Sequence, residues 1–178
     1  MRGGHATHRK LVEAMLAEPL DLIGVTGDMV LHGTDEADWQ RFYAITQPLL
    51  ATVPYLPAIG NHDLGWLRAR ASPSDAFELP AGPTGRPLGT YWYSVDVADI
   101  HLVMLDSNSY ELDEQVAWLQ ADLAAARARK VRAIIAFTHD GPYSRGYHRG
   151  NVDARTRYVP ILARHHVDML FAGHDHLY

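Results

Sequence analysis

The chain contains no cysteine, and no stretch of it reads as a membrane span. The first absence excludes a disulfide-stapled scaffold, a Cys-ligated zinc site and a thiol nucleophile. The longest uncharged run, residues 42–60, carries Pro48, Pro54 and Pro57 among Thr and Gln. Three prolines there would leave too many backbone groups unsatisfied in hydrocarbon. No apolar stretch follows Met1-Arg2-Gly3-Gly4-His5, so the chain as given shows no signal peptide and reads as soluble. Basic residues are outnumbered, 16 against 21 acidic, and the net charge of −5 argues against a broad nucleic-acid surface.

Histidine, by contrast, is plentiful, at 11 of 178 residues. A hydrophobic share of 47% can build a sizeable core, and the length fits one domain over 1–178. Charge is unevenly placed. Residues 1–126 hold 7 basic and 17 acidic side chains, whereas 127–178 hold 9 basic and 4 acidic. A basic C-terminal end of this kind suits an anionic partner.

Periodicity predicts a short helix over 7–18, with Leu11 and Met15 on one stripe and Val12 and Leu16 beside it. A buried-type strand follows at 20–26. A helix over 35–47 carries Trp39, Phe42 and Tyr43, and Pro48 closes it. A second strand spans 54–59. Residues 72–90, with four prolines and three glycines, read as a long irregular loop. A hairpin is expected from 91–95 and 100–105, broken at Ala98-Asp99. A helix over 112–128 buries Leu112, Val116, Leu119 and Leu123. A strand at 131–138, a helix at 154–165 and a strand at 167–172 complete an α/β, layered α/β/α pattern.

Four of these strands end on a possible metal ligand: Asp28, Asn61, His139, and His174 with His176. Each alone has an ordinary explanation as a turn, a helix cap or a polar loop. Together they imply one site, because ligands of open α/β sheets bind beyond the carboxyl ends of the strands. A carboxylate, an amide oxygen and three imidazoles suit Mn, Fe or Zn. Asp28 has two oxygens and can bridge two ions, which in a pair clamp both the attacking and leaving oxygens of an in-line displacement. The remaining histidines have milder explanations. His5, His8, His165 and His166 read as surface residues, His101 as structural, and His32 as a non-ligand. Asp106 reads as a cap.

Gly27-Asp28, Gly60-Asn61-His62-Asp63, His139 and Gly173-His174-Asp175-His176 resemble, in order and spacing, the calcineurin-like metallophosphoesterases. Residues 91–107, Trp118-Leu119 and Gly141-Pro142-Tyr143-Ser144 are similar to the purple acid phosphatase-like branch. The resemblance implies a metallophosphoesterase sandwich of mixed sheets flanked by helices, two metal ions, and hydrolysis of a phosphate mono- or diester by metal-bound hydroxide. By it, Asp28 bridges the ions, Asn61, His139 and His174 complete the second, and His176 binds the first. His62 would assist the leaving group, with Asp63 holding its ring, and His148 and Arg149 would meet the substrate. The chain departs from the pattern in two places. It opens about where the family's first strand, ending in an Asp-x-His-type motif, would already have finished, and it stops at Tyr178 directly after the last motif. The first metal is therefore expected to be held weakly, and a truncated metal-binding module without activity is the alternative reading. Leu31 stands where the purple branch places a tyrosine ligand, so a purple tyrosinate–iron site is not expected. A structural zinc domain fits less well, since such sites are closed and commonly Cys-ligated.

Overall fold

The computed structural model describes residues 4–64 and 91–176. The expected loop at 72–90 lies outside the described residues. The elements run α1 (His5–Leu16), β1 (Ile23–Val25), α2 (Glu36–Leu50), β2 (Tyr55–Pro57), β3 (Tyr93–Val97) and β4 (Ile100–Met104). They continue through α3 (Asp113–Ala128), β5 (Ala133–Phe137), a π-helical turn at Ala154–Tyr158, α4 (Val159–Arg164) and β6 (Met169–Phe171). Strands β1 and β2 pair in parallel, with Gly24 opposite Leu56. In the second sheet, β3 and β4 form the expected antiparallel hairpin, and β5 and β6 add in parallel.

Alternation along each strand sets the layers. Leu102 and Met104 of β4 face the first sheet and pack with Leu56 and Tyr93. Val103 of β4 with Ile134 and Ala136 of β5 face the other way, onto Trp118, Leu119 and Leu123 of α3 and Ile161 and Leu162 of α4. The far side of β1 meets α1 and α2 through Ile23, Val12, Ile45 and Leu49. The two sheets thus lie face to face between helical layers. Tyr93 ties them by donating its hydroxyl to Pro57 O at 3.0 Å. Among the described residues no helix is long and apolar enough to cross a membrane.

Three local expectations change. Pro48 does not end α2 but lies inside it, one residue before Leu49, which is 2% exposed. Burial of Leu49 and Ile45 offsets the hydrogen bond that a proline cannot make. On α1 only Val12 of the two expected stripes is fully buried, and Leu11 and Leu16 are exposed. His8, expected at the surface, is buried against Phe42 with Nε2 3.3 Å from Thr46 Oγ1. Burial holds its pKa below the ordinary imidazole value.

His101 is structural, as expected, but as part of a charged network. Its ring has no exposed surface and lies between two carboxylates, Asp96 Oδ1 at 2.6 Å and Asp122 Oδ2 at 2.7 Å. Asp122 is equally buried and also accepts from Ser94 Oγ, while Arg129 pairs with Asp96 at 3.0 Å. Burial disfavours the imidazolium, but the two carboxylates outweigh it and hold the His101 pKa above its ordinary value.

Candidate metal centre

The loops after β1, β2, β5 and β6 meet at one end of the sandwich. His139 follows β5 and is 2% exposed. Its Nδ1 lies 2.7 Å from Thr26 O, an atom that can only accept, so Nδ1 carries the proton and Nε2 presents its lone pair. Three side chains of the other loops crowd that nitrogen: Asn61 Oδ1 at 3.1 Å, His174 Nδ1 at 3.1 Å and Asp28 Oδ1 at 3.3 Å. One lone pair cannot satisfy three neighbours, two of which are themselves acceptors. A cation can, since ligands of one ion at 2.0–2.1 Å stand roughly 3.0–3.4 Å from one another. Among the described residues, no three His, Asp or Glu side chains stand around a common centre in ready ion-binding geometry. The donors centre on His139 itself, and the Asn61 amide belongs to the set. Their chemistry nevertheless fits a hard or borderline metal. Burial, the largest influence, keeps both His139 and His174 below the ordinary imidazole pKa, hence in the neutral form that a metal requires.

The backbone here is strained. Among the described non-glycine residues, positive φ occurs at seven, and four of these are expected site residues: Asp28 (56°), Arg149 (62°), His174 (69°) and His176 (49°). Such angles cost about 1–3 kcal/mol each and cluster at functional sites. Gly60 is obligatory, since a Cβ on it would come within 2.4 Å of Asp28 Oδ1.

Asp63, expected to hold the His62 ring, does something else. Its Oδ2 accepts from Asp28 N and Gly60 N, and its Oδ1 from Met29 N and Val30 N, at 2.8–3.3 Å. It therefore clamps the loop after β1 to the loop after β2. Burial pushes its pKa up to about 7 against the opposing pull of those N–H groups. The His62 ring is held by Leu31 O, which accepts from Nδ1 at 2.8 Å, and the backbone N–H of His62 donates to Asp28 Oδ1 at 3.1 Å. His62 is buried beside the donor cluster without belonging to it.

His148 lies over His174, with ring centroids 3.9 Å apart, and Asp175 Oδ1 anchors it by accepting from His148 N at 2.9 Å. Arg149 is exposed, its N–H closing a turn on Gly146 O. His176 is exposed and lines, with Asp28, His139 and His174, the end of a cleft of about 1030 Å³. The cleft continues between α1 (Leu11, Met15) and the rings of Phe137 and Phe171, alongside β1. His32 is exposed and pairs with Asp38 rather than the site. Sequence reading did not find the Thr26 carbonyl or the anchoring roles of Asp63 and Asp175. A carbonyl carries no residue signature, and Asp175 stood out only as part of the Gly173–His176 motif.

Residues 1–178 match the family model of the calcineurin-like phosphoesterases. The chain belongs to that family. Purple acid phosphatase 21 of Arabidopsis thaliana is 30% identical over 166 residues, covering 89% of this chain and 38% of that protein. Among solved structures, a purple acid phosphatase from yellow lupin (Lupinus luteus) seeds superposes with a TM-score of 0.71 at 21% identity, over 97% of this chain and 33% of that one. GAP50 of Plasmodium, the anchor in the inner membrane complex, superposes with a TM-score of 0.67 at 20% identity, over 97% of this chain and 62% of that one. The chain thus spans well under half the length of the purple acid phosphatases it matches. The layered fold and the purple acid phosphatase-like branch are those expected from the motifs.

Proposed function

We propose that this phosphoesterase-family chain is a metal-dependent hydrolase of phosphate mono- or diesters. The observation that carries the reading is the buried His139 Nε2, unprotonated by virtue of Thr26 O, facing Asn61 Oδ1, His174 Nδ1 and Asp28 Oδ1. Asp28, Asn61, His139 and His174 would hold one Mn, Fe or Zn ion, and Asp28 with His176 would contribute to another. Bound there, such ions polarise phosphoryl oxygens and activate water. The chain's own groups do the rest. His62, with Nδ1 fixed on Leu31 O, delivers a proton from Nε2 to the leaving oxygen or stabilises charge developing on it. Asp63 keeps Asp28 and Asn61 in register through the two loops that it clamps. His148 and Arg149 draw the phosphate to the mouth of the site.

A second reading, metal binding without turnover, is favoured by the exposure of His176, the imidazole assigned to the first ion. One experiment separates the two. Protein loaded with Mn²⁺ or Fe is analysed for bound metal and assayed on a chromogenic aryl phosphate. Turnover that falls by about 10²-fold or more in Asp28→Asn is expected. An Asp28→Asn variant as active as the parent overturns the hydrolase reading, and about one metal per chain with no turnover establishes the second.

A further inference from the structure

A file of rings leads from the buried donors to solvent. His139 meets His174 with centroids 4.9 Å apart, His148 lies over His174 at 3.9 Å, and Tyr147 meets His148 at 5.2 Å and at right angles. The file starts on a ring with almost no exposed surface and ends on Tyr147, which is 92% exposed. A single bare aromatic is ordinary by itself and needs a second reason. The loop supplies it, being fastened on both sides of Tyr147. Gly146 N donates to Ser144 Oγ at 2.9 Å, and His148 N donates to Asp175 Oδ1 at 2.9 Å. Asn151 donates through its backbone N to Gly141 O and through Nδ2 to Asp140 Oδ2. Gly146 packs so tightly on Asp175 that a Cβ would come within 2.5 Å of its carboxyl carbon. Tyr147 is therefore presented by a braced loop tied to the segment carrying His174 and His176.

We propose that Tyr147 is a specificity-determining residue whose ring stacks on the leaving group of an aryl phosphoester, favouring aryl over alkyl esters. This rests on the phosphoesterase reading above. A phosphate beside His148 leaves its ester-linked ring beside Tyr147, whose ring stands one spacing, 5.2 Å, from that of His148. The 4.5–7 Å centroid range of aromatic pairs matches that step. An alkyl leaving group has no π-face to offer. The flanking Arg145 and Arg149, both exposed, supply the cations that bring the ester's phosphate to this point. Tyr143 on the same loop is not equivalent, because the Arg155 guanidinium already lies over its ring at 5.9 Å.

The test uses the metal-loaded full chain and its Tyr147→Ala, Tyr147→Phe and Tyr143→Ala variants. Two quantities are read: the phenyl-to-methyl ratio of kcat/KM for the phosphate monoesters, and the ratio of affinities for phenylphosphonate and methylphosphonate by calorimetry. Intrinsic leaving-group reactivity cancels when one ratio is compared between variants. Both ratios are expected to fall by about 2- to 12-fold in Tyr147→Ala, the size of one aromatic pair, and to persist in Tyr147→Phe and Tyr143→Ala. Ratios unchanged in Tyr147→Ala, or a parent that binds phenylphosphonate no better than methylphosphonate, overturn the proposal. A parent that shows the Tyr147-dependent phosphonate preference but hydrolyses neither ester retains the subsite and loses the hydrolase reading instead.

Discussion

Changing His101 to Ala removes the imidazole that Asp122, a side chain with no exposed surface, faces at 2.7 Å, while Ser94 Oγ still donates to it. The cost comes mainly from that buried carboxylate losing the His101 imidazolium, about 3–5 kcal/mol for a broken interior pair. The Asp96 side contributes little, because Asp96 is 36% exposed and keeps Arg129, so its share is discounted to about 1 kcal/mol or less. Against a total stability of about 5–15 kcal/mol this is a large fraction. Urea unfolding with a chelator present measures it. At an m-value of about 2 kcal/mol/M the midpoint falls by about 2 M. The pH dependence follows from the raised His101 pKa. Its stabilising contribution is fully present below the unfolded value of about 6.5 and is lost as pH rises through the folded one. His8, His139, His165 and His174 are shifted downward, so their contributions change below about 6.5. The contribution of Asp63, pushed up to about 7, also declines as pH rises, so the His101 part is the difference between the parent and His101→Ala. Asp122→Asn, which removes one of the two carboxylates holding the imidazolium, flattens the decline. A His101→Ala protein within about 1 kcal/mol of the parent, or a parent whose decline from pH 6 to pH 9 is no steeper than that of His101→Ala, would refute the reasoning.

His62→Ala should lower kcat on an aryl phosphate by about 10²- to 10⁴-fold with metal content unchanged; parallel loss of metal would show that the residue holds the site together instead. Leu119→Ala, at a position with no exposed surface between α3 and the second sheet, should cost about 2–5 kcal/mol in the same urea titration without altering the phenyl-to-methyl ratio.

Much of the architecture was legible because its signals are local. Short apolar and aromatic runs bounded by turn residues marked β3, β4 and β5, and the spacing of Leu112, Val116, Leu119 and Leu123 marked α3 and its buried face. Proline was misleading at Pro48, since the packing of Ile45 and Leu49 outweighs a local rule. His8 misled for the same reason: a helix periodicity names a face, but whether a second helix covers that face is decided elsewhere in the chain. The placement of Asp28, Asn61, His139 and His174 at strand ends was also readable, because parallel strands carry their carboxyl ends to one edge.

What each of those residues does there depended on partners far away in sequence. The proton on His139 is set by a carbonyl 113 positions earlier, and the Asp63 carboxylate spends its lone pairs on N–H groups 33 to 35 residues back as well as on Gly60. Residue types and their order determined the family, the fold and the donor set. The tertiary structure alone decided which lone pair points at which neighbour, because a hydrogen bond depends on distance and angle between groups that only folding brings together.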